Sequence, residues 1–129
     1  MTLICVGPVQ AGDHAWSQDT VSPAINHKNV AIVARHIPGS SATLTSTSRI
    51  TRVQASRSYQ GNAQITTRLC WNGTDRCVSL TGASVSTHEF DGLDASKPLY
   101  LVHTVVAAHP GPLPSPVFVK GSVVVWYRP

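Results

Sequence analysis

Residues 65–80 read ITTRLCWNGTDRCVSL, and this stretch decides the fold. Apolar and polar side chains alternate over residues 65–71, which predicts a β-strand with one buried face. The turn signal Asn-Gly-Thr-Asp follows at 72–75, and residues 76–81 return as a second strand. A four-residue loop sets the register of this hairpin, and the face that we expect to be buried carries Ile65, Leu69, Val78 and Leu80.

The same register sets Cys70 directly opposite Cys77. Opposed cysteines in a non-hydrogen-bonded pair of an antiparallel ladder are close enough to form a disulfide. The intervening sequence fits neither a pair of zinc ligands nor a Cys-x-x-Cys redox motif. We therefore expect a Cys70–Cys77 disulfide on the face away from the core, which stabilises the hairpin by roughly 2–3 kcal/mol.

The rest of the chain also predicts strands. Of its 129 residues, 42% are apolar and only 12% are charged, and much of the remainder is Ser and Thr. This composition is typical of one β-rich domain, and no segment shows sustained helical periodicity. Apolar or β-branched runs predict strands at 30–37, 49–59, 98–107, 117–119 and 122–127.

Two local features refine this assignment. In the run 49–59, Ile50 is out of phase with Val53 and Ala55, which indicates a β-bulge. The proline-rich segment 109–116 is expected to be a connection that is neither helical nor a central strand. Together these patterns predict an all-β, single-domain antiparallel β-sandwich, or a small barrel, with one hairpin disulfide.

The first eleven residues, MTLICVGPVQA, are apolar and uncharged. Their Val-Gln-Ala ending resembles the small-residue pattern before a signal-peptidase cut. We interpret residues 1–11 as a signal-peptide remnant and 12–129 as the mature β-sandwich domain, so that Cys5 is removed on export. The alternative is a first β-strand at 3–6. No other run approaches the ~20 apolar residues of a membrane span.

Catalytic and metal-binding patterns are weak. The segment His88-Glu89-Phe90-Asp91 fits a strand end that enters a turn better than a pair of catalytic carboxylates. The chain has no Gly-x-Ser-x-Gly elbow and no phosphate-binding glycine loop. We predict no catalytic residue, no metal site and no cofactor, and we expect each histidine to be either exposed or hydrogen-bonded: His14, His27, His36, His88, His103 and His109.

A surface is the better candidate site. Arg49, Arg52 and Arg57 lie in one predicted strand, and the formal net charge is +4. We predict that they form a partner-docking surface with Val124 and Trp126 of the last strand, which could be an open sheet edge that accepts a partner strand. The alternatives are an ordinary solvated face and a central last strand. Aromatic residues do not alternate with the arginines, which disfavours nucleic acid.

The segment Arg68-Leu69-Cys70…Arg76-Cys77-Val78-Ser79-Leu80-Thr81-Gly82, with the Ser/Thr stretch after it, resembles the flagellar FlhE family. Trp16, the run Lys97-Pro98-Leu99 and the ending Val123–Arg128 support the resemblance, which extends over residues 12–128. The family has four residues between its cysteines, whereas this chain has six. An insertion of two residues preserves strand parity, so the cysteines still oppose each other.

The resemblance implies a periplasmic, non-enzymatic accessory protein of the flagellar type III export system. Such a protein would limit proton leakage through the export apparatus, or act as a chaperone-like factor in flagellar assembly and swarming. The implied partners are flagellar rod or export-gate proteins, and no catalytic residue is carried over. An exported β-sandwich inhibitor or ligand-binding module unrelated to flagella remains the alternative, and the oligomeric state stays open.

Overall fold

The computed structural model describes residues 14–39 and 42–129, and within these ranges the regular structure is entirely β. The described residues accordingly contain no helix that could cross a membrane. The signal-peptide prediction for residues 1–11 lies outside them. The strands are β1 (His14–Val21), β2 (Ile25–Lys28), β3 (Ala31–His36), β4 (Arg49–Tyr59), β5 (Ile65–Trp71), β6 (Cys77–Ser79), β7 (Ser84–Thr87), β8 (Leu99–Val105), β9 (Gly111–Val117) and β10 (Val119–Arg128).

Two four-stranded antiparallel sheets pack face to face. The first sheet has the strand order β1-β10-β4-β7, and the second has the order β3-β8-β5-β6. Strands β2 and β9 pair separately as a two-stranded ribbon. Apolar side chains from both inner faces enclose the main core, which includes Trp16, Val53, Leu69, Phe90 and Val125. The prediction of an all-β sandwich is therefore confirmed, and the sheets do not close into a barrel.

The 65–80 hairpin has the register that its sequence predicts. Leu69 pairs with Val78, and Cys70 pairs with Cys77, to which it is joined by a disulfide. In the turn, Asn72 and Gly73 have φ values of 52° and 136°. This left-handed region is easily reached only by Gly and, with little strain, by Asn, so the Asn-Gly pair determines the turn.

The bulge in β4 is also confirmed. Trp126 pairs with Arg52, but the next residue of β10, Tyr127, pairs with Ile50. The extra residue between Arg52 and Ile50 has no partner in the ladder. This insertion returns Ile50 to the inner face, where it is 1% exposed.

The C-terminal strand is central, so the prediction of an open edge there is wrong. β10 is paired with β1 on one side and with β4 on the other, which leaves Val124 between Ser17 and Gln54. The strand that covers this edge, β1, was not predicted. Burial alternates from Trp16 onward in its sequence HAWSQDTV, but the more buried positions after Trp16 carry the polar Gln18 and Thr20, so the sequence shows no apolar alternation. The short strands β2 and β7 were missed for the same reason.

The proline-rich segment is also more ordered than expected. Residues 111–117 form β9, which pairs with β2 in the separate ribbon. The segment is therefore neither helical nor a central strand, as predicted, but it is a strand and not a simple connection. A peripheral position is the one that proline tolerates in a sheet, because proline cannot donate a backbone hydrogen bond.

Candidate partner-binding surface

The arginines of β4 do not share one face. Side chains alternate along a strand, so Arg52 and Arg57, five residues apart without an intervening bulge, point to opposite faces of the first sheet. Arg49 pairs with Arg128 across the bulge, which returns it to the outer face with Arg52. Of the predicted docking residues, Arg49, Arg52, Val124 and Trp126 therefore lie together, and Arg57 is separate.

Arg52 and Trp126 form the centre of this outer face. They are direct partners in the β4–β10 ladder, and the guanidinium carbon of Arg52 lies 3.9 Å from the centroid of the indole ring. Trp126 is only 8% exposed although it faces away from the core. A cation stacked on an indole contributes about 0.5–2 kcal/mol, depending on its solvation. The pair therefore presents a positive charge that is held against a largely buried aromatic ring.

Two further arginines extend this charge. Arg49 donates hydrogen bonds to the carbonyl oxygens of Ser46 (3.3 Å) and Ser48 (3.0 Å), which orders its side chain. Its ladder partner Arg128 is exposed. We refer to Arg49, Arg52, Val124, Trp126 and Arg128 together as the Arg–Trp patch.

The acidic residue Asp94, which pairs with Arg49 in an isolated β-bridge, is already engaged. Hydrogen bonds from the Ser96 hydroxyl and then from its backbone N–H lower the pKa of Asp94, and the charges of Lys97 and Arg49 lower it further. The Ser96 hydroxyl donates to the carboxylate at 2.6 Å. Among the described residues, the one salt-bridge contact joins His88 to Asp91. Asp94 and Arg49 are therefore not within salt-bridge distance of each other. The positive charge of the patch thus remains available to a partner.

A shallow depression lies farther along the same outer face. Its volume is about 430 Å³, and its lining includes Asp19, Lys120 and three serines, Ser56, Ser58 and Ser122. The serine side chains are small, so the surface of the sheet is recessed at this position. A partner seated on the Arg–Trp patch could extend into the depression.

Arg57 belongs to a polar region between the two sheets that sequence reasoning missed. His36 and His103 are both fully buried there, at 0% exposure. The Thr67 hydroxyl is 2.9 Å from Nδ1 of His103, and Nε2 of His36 is 3.5 Å from the Gly121 carbonyl oxygen. We refer to these five residues as the polar end of the main core; on their other side along the strands lies a second buried apolar cluster of Ile25, Ile65, Val105 and Val119.

The polar end contains nitrogen atoms that have no hydrogen-bond partner among the described residues: Nδ1 of His36, Nε2 of His103 and Nη1 of Arg57. Burial, followed by the charge of Arg57 and the proximity of His36, lowers the pKa of His103 to about 4. Burial also lowers the pKa of His36, against smaller raising effects from backbone hydrogen bonds and Asp19. Both rings are therefore neutral at pH 7. Strand parity could have revealed them, because His103 alternates with the buried Leu101 and Val105.

The segment His88–Asp91 is a local turn. Nδ1 of His88 is 2.9 Å from the Thr51 carbonyl oxygen and 3.1 Å from a carboxylate oxygen of Asp91. Both side chains are well exposed. Across residues 14–39 and 42–129, no group of three His, Cys, Asp or Glu side chains is arranged to hold a metal ion.

Fold and surface together define a small, disulfide-bonded β-sandwich whose candidate site is a charged patch on a sheet face. The chain matches the family described as flagellar protein FlhE over residues 22–128, and it belongs to this family. A crystal structure of FlhE is similar to it, with 29% sequence identity, a TM-score of 0.72, and coverage of 92% of this chain and 100% of that chain. The resemblance to this family that the cysteine hairpin indicated is thereby confirmed.

A second solved structure shares the fold alone. The structure of tomato aspermy virus matches with a TM-score of 0.57 and 14% identity, over 99% of this chain and 84% of that chain. No curated protein shows significant similarity to the chain. The FlhE family consists of flagellar accessory proteins and is not a known enzyme family.

Proposed function

We propose that the protein is a non-enzymatic periplasmic accessory factor of the flagellar type III export system. It binds flagellar rod or export-gate proteins, supports assembly and swarming in a chaperone-like manner, and limits proton leakage through the export apparatus. Family membership supports the flagellar context. The hairpin disulfide supports an oxidising compartment such as the periplasm.

The Arg–Trp patch is the observation that carries the binding role. Among residues 14–39 and 42–129, no carboxylate lies within salt-bridge distance of its arginines, and the guanidinium of Arg52 lies over the Trp126 ring. Aromatic and arginine side chains dominate the energetic centres of protein interfaces, and a positive patch accelerates association with an acidic partner. We therefore assign the patch to docking of an acidic surface of a flagellar component.

The mode of docking follows from the topology. Both edges of β10 are occupied by β1 and β4, so a partner cannot add a strand at Val124. Side chains on the sheet face must make the contact instead. Binding should then depend on Arg52 and on the ionic strength, because exposed charges are screened by salt.

Capture of rod and export-gate proteins from periplasmic extract tests this proposal. Arg52→Glu should reduce capture at least tenfold at low salt, and it should impair swarming when it replaces the wild-type gene. Arg76→Glu is the matched control, since Arg76 is exposed at the hairpin tip and carries the same charge. Equal losses in both variants, or unchanged capture by Arg52→Glu, would contradict docking at the patch.

Cell fractionation tests the location separately. The protein should leave the cell with the periplasmic fraction, with an intact mass that begins at Gly12 and with no free thiols after denaturation. A product that retains Cys5, or two free thiols at Cys70 and Cys77, would contradict export or the oxidised hairpin.

A further inference from the structure

A second cationic site lies away from the Arg–Trp patch, in a cleft beside the first half of β5. Its volume is about 370 Å³. Arg57 of the first sheet and Arg68 of the second sheet both line it, together with the hydroxyl-bearing residues Thr66, Thr67, Ser79 and Thr104. None of its lining residues is acidic. We refer to this region as the β5 cleft.

The shortness of β6 creates the β5 cleft. β6 pairs with β5 only from Arg68 to Cys70, so the first residues of β5 have no neighbouring strand on that side. The chain then turns away at Gly82 towards the other sheet. Arg57 reaches into this gap from β4, where its Nε and Nη2 donate to the Gly82 carbonyl oxygen at 3.3 and 3.1 Å.

The charge of Arg57 is only partly compensated. One carbonyl oxygen and the face of Tyr59, 5.3 Å away, are its contacts, and Nη1 is buried without an acceptor. No carboxylate of the described residues lies within salt-bridge distance of it. A buried donor without a partner, on a charged group, opposes folding. An anionic oxygen in the cleft would offset the charge of the Arg57 guanidinium, which lines it.

The described groups around Arg57 do not neutralise the charge of its guanidinium. His103 lies behind Thr67, is neutral at pH 7 and is sensitive to the Arg57 charge. Arg68 is exposed and adds a second guanidinium fork. Guanidinium groups bind carboxylate and phosphate oxygens through charge-assisted hydrogen bonds, and nearby hydroxyls complete such sites.

We propose that the β5 cleft binds a small oxyanion, a carboxylate or phosphate group, between Arg57 and Arg68. Its volume is in the lower range of ligand pockets, which fits a di- or tricarboxylate or one to two acidic side chains. The source is either a free anion or an acidic segment of a partner protein. The site does not depend on the Arg–Trp patch, because it uses different residues on a different side of the molecule.

Titration of the purified protein at constant ionic strength tests this inference, with citrate, inorganic phosphate and hexaglutamate as probes. At least one probe should bind saturably and raise the melting temperature, and it should shift the Nε–H resonance of Arg57. Binding of citrate or phosphate indicates a free anion as the source. Binding of hexaglutamate alone indicates an acidic protein segment.

Three variants make the result decisive. Arg57→Gln and Arg68→Gln should each weaken the bound probe at least tenfold, whereas Arg76→Gln should leave its affinity within twofold. Arg68 is exposed, so Arg68→Gln reports on binding even where Arg57→Gln impairs folding. Absence of saturable binding by every probe overturns the proposal, as does an equal loss in Arg76→Gln. Capture by the Arg–Trp patch is measured independently and is expected to persist in Arg68→Gln.

Discussion

The apolar and polar ends of the main core contrast sharply although the same two sheets enclose both. At one end, Trp16, Leu69, Phe90 and Val125 belong to a single apolar cluster, and the Trp16 indole N–H donates to the Ala95 carbonyl oxygen at 2.9 Å. At the polar end, two imidazoles and a guanidinium each have a buried nitrogen that finds no partner in the described part of the chain. The first end is arranged for stability, because its polar atoms are paired. The second is less favourable for stability, because it holds the charge of Arg57 beside the β5 cleft.

Phe90→Ala should produce the largest effect, because it removes a fully buried ring from the apolar end. We expect a loss of about 3–5 kcal/mol in the free energy of unfolding, measured with urea. Phe118→Ala is the matched control, since Phe118 is 51% exposed, and it should cost less than about 1 kcal/mol. Similar losses in the two variants would show that the apolar end does not dominate stability.

Acid should act mainly on the polar end. The folded pKa of His103, about 4, lies below its unfolded value, so the unfolded state binds the proton first as the pH falls. Stability from this group is complete above about pH 6.5 and declines towards pH 4, by about 3 kcal/mol in total. His36 adds a loss in the same direction. Urea unfolding across this range measures the effect.

Substitution of His103 tests whether this residue causes the loss of stability in acid. His103→Asn removes the titrating ring and should flatten the stability profile between pH 6.5 and 4 relative to wild type. His109→Asn, which removes an exposed imidazole, is the matched control. An unaltered slope in His103→Asn would contradict the neutral buried imidazole.

Gly121→Ala should have a smaller effect, where the polar end meets the side chain of Leu101. A Cβ at this position would lie 2.5 Å from Cδ1 of Leu101 and 3.6 Å from the His36 ring. Leu101 must move, and we expect a loss of about 1–3 kcal/mol from overpacking. At Gly39 a Cβ meets nothing within 4 Å, so Gly39→Ala should be nearly neutral. Equal unfolding midpoints for the two variants would argue against tight packing at Gly121.

Arg52→Ala should have the smallest effect on stability, because it acts on the outer face. Loss of the contact with Trp126 should cost about 0.5–1 kcal/mol. Partner capture should nevertheless fall strongly, which separates docking from folding. A stability loss as large as that of Phe90→Ala would identify the Arg52–Trp126 pair as structural.

Local patterns predicted the hairpin and the bulge because each is determined by residues close in sequence. The Asn72-Gly73 turn sets the register that brings the cysteines together, and the phase of Ile50 against Val53 reveals the bulge. The position of β10 depends instead on β1, about a hundred residues earlier in the chain. The polar sequence of β1 gives little local signal, so the pairing of β10 with β1 could not be predicted from either strand alone.

At the candidate site, too, local features could be predicted and long-range ones could not. The structure places Arg52 opposite Trp126 and Val124 on the same outer face, and a docking role for them stays a prediction. The separation of Arg57 follows from strand parity and could have been predicted. The β5 cleft could not, because it depends on where β6 ends and on a side chain that reaches across from the other sheet.

The prolines of β9 affect how the molecule behaves at high concentration. Pro112, Pro114 and Pro116 alternate along the strand, so their missing N–H groups all belong to the same edge. Because Pro112 cannot donate to its partner His27, the hydrogen bonds to β2 come from the alternate residues, and the donor-free edge faces outward. An incoming strand from another copy would meet carbonyl oxygens alone at these positions. The outer edge of β9 is thereby protected against intermolecular strand pairing, although no strand of the described part of the chain covers it.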